Sequence, residues 1–167
     1  MASKDSFIGK AKKKAKAIGY TGPFWFLSYL IFYIINNLGI VIAMLLPSSL
    51  GYVFHRMRGV KIGKNVHISR GACIDHSVPM FIEIGDNSQI AFGAVVLCHN
   101  NEASTDEANQ VKPVKIGNNV FVSVNAVILP GVSIGDNSKI GASAVVNKDI
   151  PKNSLAVGQP ARVVKKI

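Results

Sequence analysis

The stretch IGNNVFVSVNAVILPGVSIGDN, residues 116–137, decides the fold, because Ile116, Val122, Ile128 and Ile134 stand six positions apart. An amphipathic helix would return an apolar residue about every 3.6 positions and a half-buried strand every second one, so neither describes it. A six-residue period belongs to a repeat in which short strands alternate with tight corners. The register runs outward in both directions. Ile62, Ile68 and Ile74 lead three hexads; Ile84, Ile90 and Val96 lead three more; Ile140 and Val146 continue it beyond Ile134. Four residues after many leaders stands another small or apolar side chain, as at Val66, Ala72, Ala94, Val120, Ala126, Val132 and Ala144.

Three hexads form one unit, and each unit opens alike: Ile62-Gly63-Lys64-Asn65, Ile84-Gly85-Asp86-Asn87, Ile116-Gly117-Asn118-Asn119 and Ile134-Gly135-Asp136-Asn137. Gly and Asn tolerate left-handed backbone geometry, so they belong where a short strand must turn. The openings are 22, 32 and 18 residues apart, which reads as eighteen with insertions of four and fourteen. The prediction is an all-β parallel β-helix of four triangular coils, stacked at about 4.8 Å with the aliphatic leaders inside. Its flat faces favour association with copies of itself. Four extra residues fall within 78–83, and fourteen follow Asn101 in the polar segment 102–115. A long polar loop thrown out of a tight repeat marks a functional element, and His99 stands just before it at an outward position.

With 167 residues the chain is one domain plus an appendage, and 49% hydrophobic against 17% charged residues exclude disorder. Nineteen Lys and Arg against nine Asp and Glu give a formal charge of +10. Partners are therefore expected to be anionic: nucleic acid, lipid or a phosphorylated small molecule. The repeat lacks interleaved aromatic and basic residues, which sets nucleic acid aside. Cys73 and Cys98 form no disulfide framework, as in a reducing compartment. The chain divides into a basic arm (1–20), an apolar helical segment (21–59), the repeat (60–151) with its loop 102–115, and a tail (152–167).

Lys4, Lys10, Lys12, Lys13, Lys14 and Lys16 make up the arm, and residues 17–54 carry no charge. Within 24–46 only Ser28, Asn36 and Asn37 are clearly polar, a length that matches a membrane-crossing helix. No Ala-x-Ala cleavage pattern follows, which sets a signal peptide aside. Basic residues flank both sides, with Arg56, Arg58, Lys61 and Lys64 beyond it, and the positive-inside rule disfavours a single span. The expectation is two short helices, 24–35 and 38–46, bent at Asn36-Asn37 near Gly39 and stopped at Pro47. They would associate with an anionic membrane surface in monotopic or re-entrant fashion, both ends at the cytoplasmic face. Burial of these helices in an oligomer, without lipid, is the competing reading.

The repeat resembles the hexapeptide-repeat acyltransferases, the left-handed parallel β-helix family of galactoside, maltose and serine acetyltransferases. The resemblance covers about residues 60–167. It rests on the 116–137 stretch, on Val145-Val146-Asn147-Lys148-Asp149-Ile150-Pro151, and on the tail from Gly158 to Lys165. The segment from Ile74-Asp75 to Asp86-Asn87 resembles the branch that acetylates sugars of capsule and O-antigen glycans. Left-handedness is implied by the resemblance alone. So are an acetyl-coenzyme A donor, a homotrimer, and a sugar or lipid-linked glycan acceptor at the cytoplasmic membrane face. In such enzymes a histidine before the protruding loop is the general base, which falls on His99; an imidazole of ordinary pKa near 6.5 suits that task.

The family pattern places coenzyme A against Ser123, Ala142, Asn147, Lys148, Arg162 and Lys165, with the backbone N–H near Ser123 as an oxyanion donor. Asp75 and His76, one coil earlier on the corresponding face, are assigned to the acceptor. Phe121 replaces the usual Trp, and Ser123 and Val124 replace the usual Gly and Ser. His67 and His55 have no spacing that suggests a site, and Cys98 reads as a buried cysteine before a nucleophile. Zinc carbonic anhydrases of this fold need three converging histidines; residues 116–133 contain none, so no metal is expected. An N-acetyltransferase of an amino sugar and a non-catalytic membrane-anchored trimeric scaffold remain the alternatives.

Overall fold

The computed structural model describes Lys12, Ala15, Lys16 and residues 19–45, 48–100 and 111–167. Most of the basic arm, Pro47 and residues 102–110 of the loop lie outside the described residues. Among the described elements, helices α1 (Trp25–Leu45) and α2 (Ser48–Met57) precede the strands. Among the described residues, twelve strands of two or three residues then make four coils. The first holds β1 (Lys61–Ile62), β2 (His67–Ile68) and β3 (Cys73–Ile74); the second β4 (Ile82–Ile84), β5 (Gln89–Ile90) and β6 (Val95–Val96). The third holds β7 (Val114–Ile116), β8 (Phe121–Val122) and β9 (Val127–Ile128); the fourth β10 (Ser133–Ile134), β11 (Lys139–Ile140) and β12 (Val145–Val146).

Each strand pairs in parallel with its counterpart one coil away, giving sheets β1-β4-β7-β10, β2-β5-β8-β11 and β3-β6-β9-β12. The tail adds β13 (Ser154–Val157) beside β11, and β14 (Arg162–Lys166) turns back antiparallel on β13. Strands alternate one outward residue with one buried leader, so Ile74, Val96, Ile128 and Val146 stack in register inside one sheet.

The corners explain why Asn and Gly recur. Asn65, Asn87, Asn119, Asn137 and Asn153 all have φ between 52° and 59°, the left-handed region that costs an ordinary L-residue roughly 1–2 kcal/mol. Their amides ladder up the edge, with Asn119 Nδ2 donating to Asn137 Oδ1 at 3.1 Å and Asn137 Nδ2 to Asn153 Oδ1 at 3.0 Å. Conformational tolerance and hydrogen bonding are thus supplied by one side chain.

The helical segment departs from expectation. α1 runs without interruption through Asn36 and Asn37, whose Nδ2 groups donate to the carbonyls of Phe32 at 3.0 Å and Tyr33 at 2.7 Å, one turn back. Satisfying their amides within the helix removes the reason for a bend. The two short helices expected to bend at Asn36-Asn37 are therefore replaced by one continuous helix. Among the described residues no helix is long and apolar enough to cross a membrane.

α1 packs on α2, and α2 packs on β1 and β2. Arg56 donates to the carbonyls of Ile62 and Gly63 at 2.7 and 2.8 Å. Arg58, only 2% exposed, lies at the meeting point of both helices and the first coil. Its Nε donates to Asn36 Oδ1 at 3.2 Å, and its Nη1 lies 2.9 Å from His55 Nδ1. Its Nη2 donates to the carbonyls of Ile74 at 3.3 Å and Asp75 at 2.6 Å. Since a guanidinium can only donate, His55 Nδ1 accepts and the imidazole is neutral. Burial, then the neighbouring Arg58 charge, pushes His55 down to about 4.

Asn119→Ala is expected to cost about 1–2 kcal/mol by thermal or urea unfolding, with Asn119→Gly losing less because glycine keeps the backbone freedom. An Ala variant as stable as the parent would refute the corner argument. A second expectation concerns pH. Because the folded-state value of His55 lies below its unfolded value near 6.5, the unfolded chain binds more protons between them. Stability should therefore fall by as much as about 3 kcal/mol as pH drops from 6.5 towards 4. His55→Asn, which keeps an acceptor near the Nδ1 position, should flatten that window in pH-dependent urea titrations; an unchanged slope would place the protonation elsewhere.

Candidate active site

The site grows from the end of β3. Asp75 follows the last inward leader of the first coil and is fully buried. Its Oδ1 accepts from the N–H groups of Ser77 at 2.8 Å and Val78 at 3.3 Å, a local turn that starts the four-residue insertion. Its Oδ2 reaches the next coil, accepting from Cys98 N–H at 2.9 Å and lying 2.5 Å from His99 Nδ1. Burial opposes ionisation of Asp75. The hydrogen bonds from Cys98 N–H, His99 and Ser77 N–H, with the charge of His99, outweigh it and hold the carboxyl below its usual range. An ionised oxygen can only accept, so His99 donates from Nδ1, and in the neutral imidazole the lone pair then lies on Nε2.

His99 follows β6, with its side chain 9% exposed. His99 bridges Val111 in antiparallel fashion and Lys112 N–H donates to Cys98 C=O at 2.8 Å, so the loop departs and returns at one pinched neck. His76 is exposed and its ring stands edge-on to that of His99, centroids 5.7 Å apart. Cys98 is buried, its Sγ donating to Asp75 Oδ2 at 3.4 Å and Val78 C=O at 3.2 Å. Burial, then the charge of Asp75, pushes the thiol up. A thiol held protonated is a poor nucleophile.

The structure therefore joins Asp75, His76 and His99 but changes one role. A direct acceptor contact through the Asp75 side chain does not fit a buried carboxylate whose two oxygens are both hydrogen-bonded; its Oδ2 holds the His99 ring instead. Asn147 and Lys148 follow β12 on the same edge as His99, two coils away, or about 10 Å at the strand spacing. Ser123 and Ala142 occupy the corners after β8 and β11, along the opposite edge of the β3-β6-β9-β12 face. Ser123 N–H donates to Ile140 C=O at 3.1 Å within the coil ladder, which removes that N–H as an oxyanion donor.

The tail crosses the fourth coil, with Ala161 N–H on Val145 C=O at 2.8 Å and Gln159 Nε2 on Ser143 C=O at 2.6 Å. Arg162 pairs with Val157 of β13, the strand beside β11, and Lys165 lies further along β14 opposite Leu155. Sequence reasoning missed Arg58 beneath Asp75. Its sole signal was a His and an Arg three positions apart at the end of a short helix. Among the described residues no cluster of His, Cys, Asp and Glu could hold a metal.

Residues 113–148 match the bacterial transferase hexapeptide (six repeats) family. Galactoside O-acetyltransferase of Escherichia coli K12 is 40% identical over 113 residues, covering 63% of this chain and 56% of that protein. The chain thus spans about half the length of the curated relatives it matches. The structure of the polySia-specific acetyltransferase NeuO superposes with a TM-score of 0.54 at 30% identity, over 64% of this chain and 51% of that one. A hexapeptide-repeat acetyltransferase of Vibrio cholerae complexed with acetyl coenzyme A superposes with a TM-score of 0.63 at 21% identity, over 92% and 97% of the two chains. At that identity the last likeness shows the fold alone.

Proposed function

Because this chain belongs to the hexapeptide-repeat transferase family, we propose that it is an acetyl-coenzyme A-dependent O-acetyltransferase with a left-handed coil. Its acceptor is a hydroxyl of a sugar or glycan intermediate, and it works as a homotrimer at the cytoplasmic face of the cell membrane. The observation that carries the reading is the Asp75–His99 pair at the neck of the loop.

Acyl transfer from a thioester requires the attacking hydroxyl to lose a proton as its oxygen bonds to the acetyl carbon. His99 Nε2 takes that proton, and the Asp75 carboxylate stabilises the imidazolium that forms. As the carbon–sulfur bond breaks, the same imidazolium returns the proton to the departing thiolate. Acetylated acceptor and free thiol are the products, and His99 is neutral again. Lys148, Arg162 and Lys165 are cations suited to the phosphates of the donor, and small Ala142 permits an extended arm to lie close to the backbone. His76, exposed beside His99, faces the acceptor side.

The trimer is supported by the arrangement of residues around one face. The outward residues of the β3-β6-β9-β12 sheet are Cys73, Val95, Val127 and Val145, an uncharged half-buried row. His99, Asn147 and Lys148 lie along one edge of this face, Ser123 and Ala142 along the other. Copies packed across it bring the base edge of one against the opposite edge of the next, which assembles one site from two chains.

Membrane attachment is supported by α1, whose Leu27, Ile31, Ile34 and Leu38 form an exposed apolar row at helical spacing. With α1 unbent, the interfacial form is the one proposed, the helix lying in the plane of the leaflet beside the basic arm. N-acetylation of an amino sugar would use the same base and donor. A scaffold without catalysis gives no reason for a buried carboxylate under an outward histidine.

His99→Ala should keep the β-rich spectrum and lower acetyl transfer from acetyl-coenzyme A to galactosides by about 10²–10⁴-fold, read as thiol release. Activity within a few-fold of the parent would sink the base assignment. The full chain should float with phosphatidylglycerol vesicles, and Ile31→Gln with Ile34→Gln should abolish flotation. A chain that stays off vesicles while remaining trimeric would instead assign this row to the oligomer.

A further inference from the structure

We propose that Arg58 is a positioning residue for the His99 base, linking the placement of helix α1 to the geometry of the reacting imidazole. The inference rests on the reading of His99 as the base. Four hydrogen-bonded residues form the link: Asn36 in α1, Arg58 at the end of α2, Asp75 in the first coil and His99 in the second. The partners are 17 to 24 residues apart in sequence, so each bond is tertiary.

Arg58 faces carbonyls and neutral side chains at every donor that bonds: Asp75 and Ile74 through Nη2, His55 through Nη1, Asn36 through Nε. Burying a guanidinium is costly, and a well-packed hydrocarbon of similar volume would fill the same space without that cost. What a hydrocarbon cannot do is hold the Asp75 carbonyl at 2.6 Å. That carbonyl sits on the residue whose carboxylate fixes the proton of His99 on Nδ1, so its orientation sets where the lone pair of Nε2 points.

α1 is shaped to admit this side chain. Asn36 and Gly39 lie one turn apart on the same helix face. A Cβ built at Gly39 would come within 3.0 Å of Arg58 Cδ and 3.2 Å of Arg58 Cγ. The glycine is a notch through which the arginine stem passes, and glycine inside a helix is otherwise unfavourable relative to alanine.

That notch supplies the decisive test. Gly39→Ala improves the intrinsic helix propensity of α1 while pushing the stem of Arg58, so a purely structural arginine and a positioning arginine give different readouts. In the full-length chain with ¹⁵N-labelled histidine, the neutral His99 of the parent should be the Nδ1–H tautomer. Gly39→Ala should shift the population towards Nε2–H and lower kcat about tenfold, with KM for acetyl-coenzyme A and a galactoside within about twofold and thermal stability not reduced. Arg58→Lys, which cannot reproduce the fork, should lower kcat by up to about 100-fold. Asp75→Asn serves as the reference for a lost pair, and adding Arg58→Lys to it should cost little more.

Parent-like His99 resonances and kcat in folded Gly39→Ala would overturn the proposal, whether or not Arg58→Lys folds. A shifted tautomer in Gly39→Ala, with an His99→Ala enzyme that stays active, would retain the Arg58 link and remove the reading of His99 as the base.

Discussion

A coil of three hexads must turn three corners, and each turn leaves only a few residues for a backbone conformation that most side chains resist. Everything else in the molecule depends on those corners being held. Asn at 65, 87, 119, 137 and 153 accepts the positive φ and bonds to its counterpart in a neighbouring coil, while Gly71, Gly93 and Gly131 take the positive φ elsewhere. With the corners fixed, the leaders Ile74, Val96, Ile128 and Val146 fall on top of one another, and the register of each sheet follows without further instruction. A site assembled across two coils, as Asp75 and His99 are, can be placed to within a hydrogen bond for the same reason.

The buried carboxylate of Asp75 is where architecture becomes chemistry. Four groups hydrogen-bond to its two oxygens within 3.3 Å, and its own carbonyl is held by Arg58. Such saturation leaves the carboxylate no freedom to follow a ligand, which is why its role differs from that of an acceptor contact. Burial, and then this same carboxylate against its Sγ, pushes the Cys98 thiol up. One carboxylate thus holds the His99 ring and faces the neighbouring thiol.

The repeat was legible because its signal is local and periodic: a leader every six residues and an Asn three after each unit opening specify coil count and insertions directly. His99 was legible by position, standing immediately before the longer insertion. Other features were not, and each has a physical reason. Asn36 and Asn37 read as a bend because polar residues inside an apolar run suggest an interruption; their amides instead bond one turn back, and Asn36 Oδ1 faces Arg58. Asp75 and Arg58 take their roles from contacts made 16 to 24 residues away, across a coil or between a helix and a coil. No periodicity records such pairings. The half-exposed row along β3, β6, β9 and β12 was written in the sequence as ordinary small residues beside each leader, and acquires meaning only when four coils line them up.

The pinched neck at His99 and Val111 has a consequence for how such a chain can diverge. Closing a loop becomes only slightly harder as it lengthens, about 0.6 kcal/mol for each doubling, and here the neck is sealed by its own backbone bridge and by the Lys112 to Cys98 hydrogen bond. Length and composition between these two points are therefore nearly neutral for the stability of the column, whereas a single insertion inside a hexad would slip every leader above it to the wrong side of its strand. Mutational drift is channelled into the segment beside His99 and excluded from the coils that hold it, so descendants of one such gene can vary that segment rapidly while their coils remain superposable.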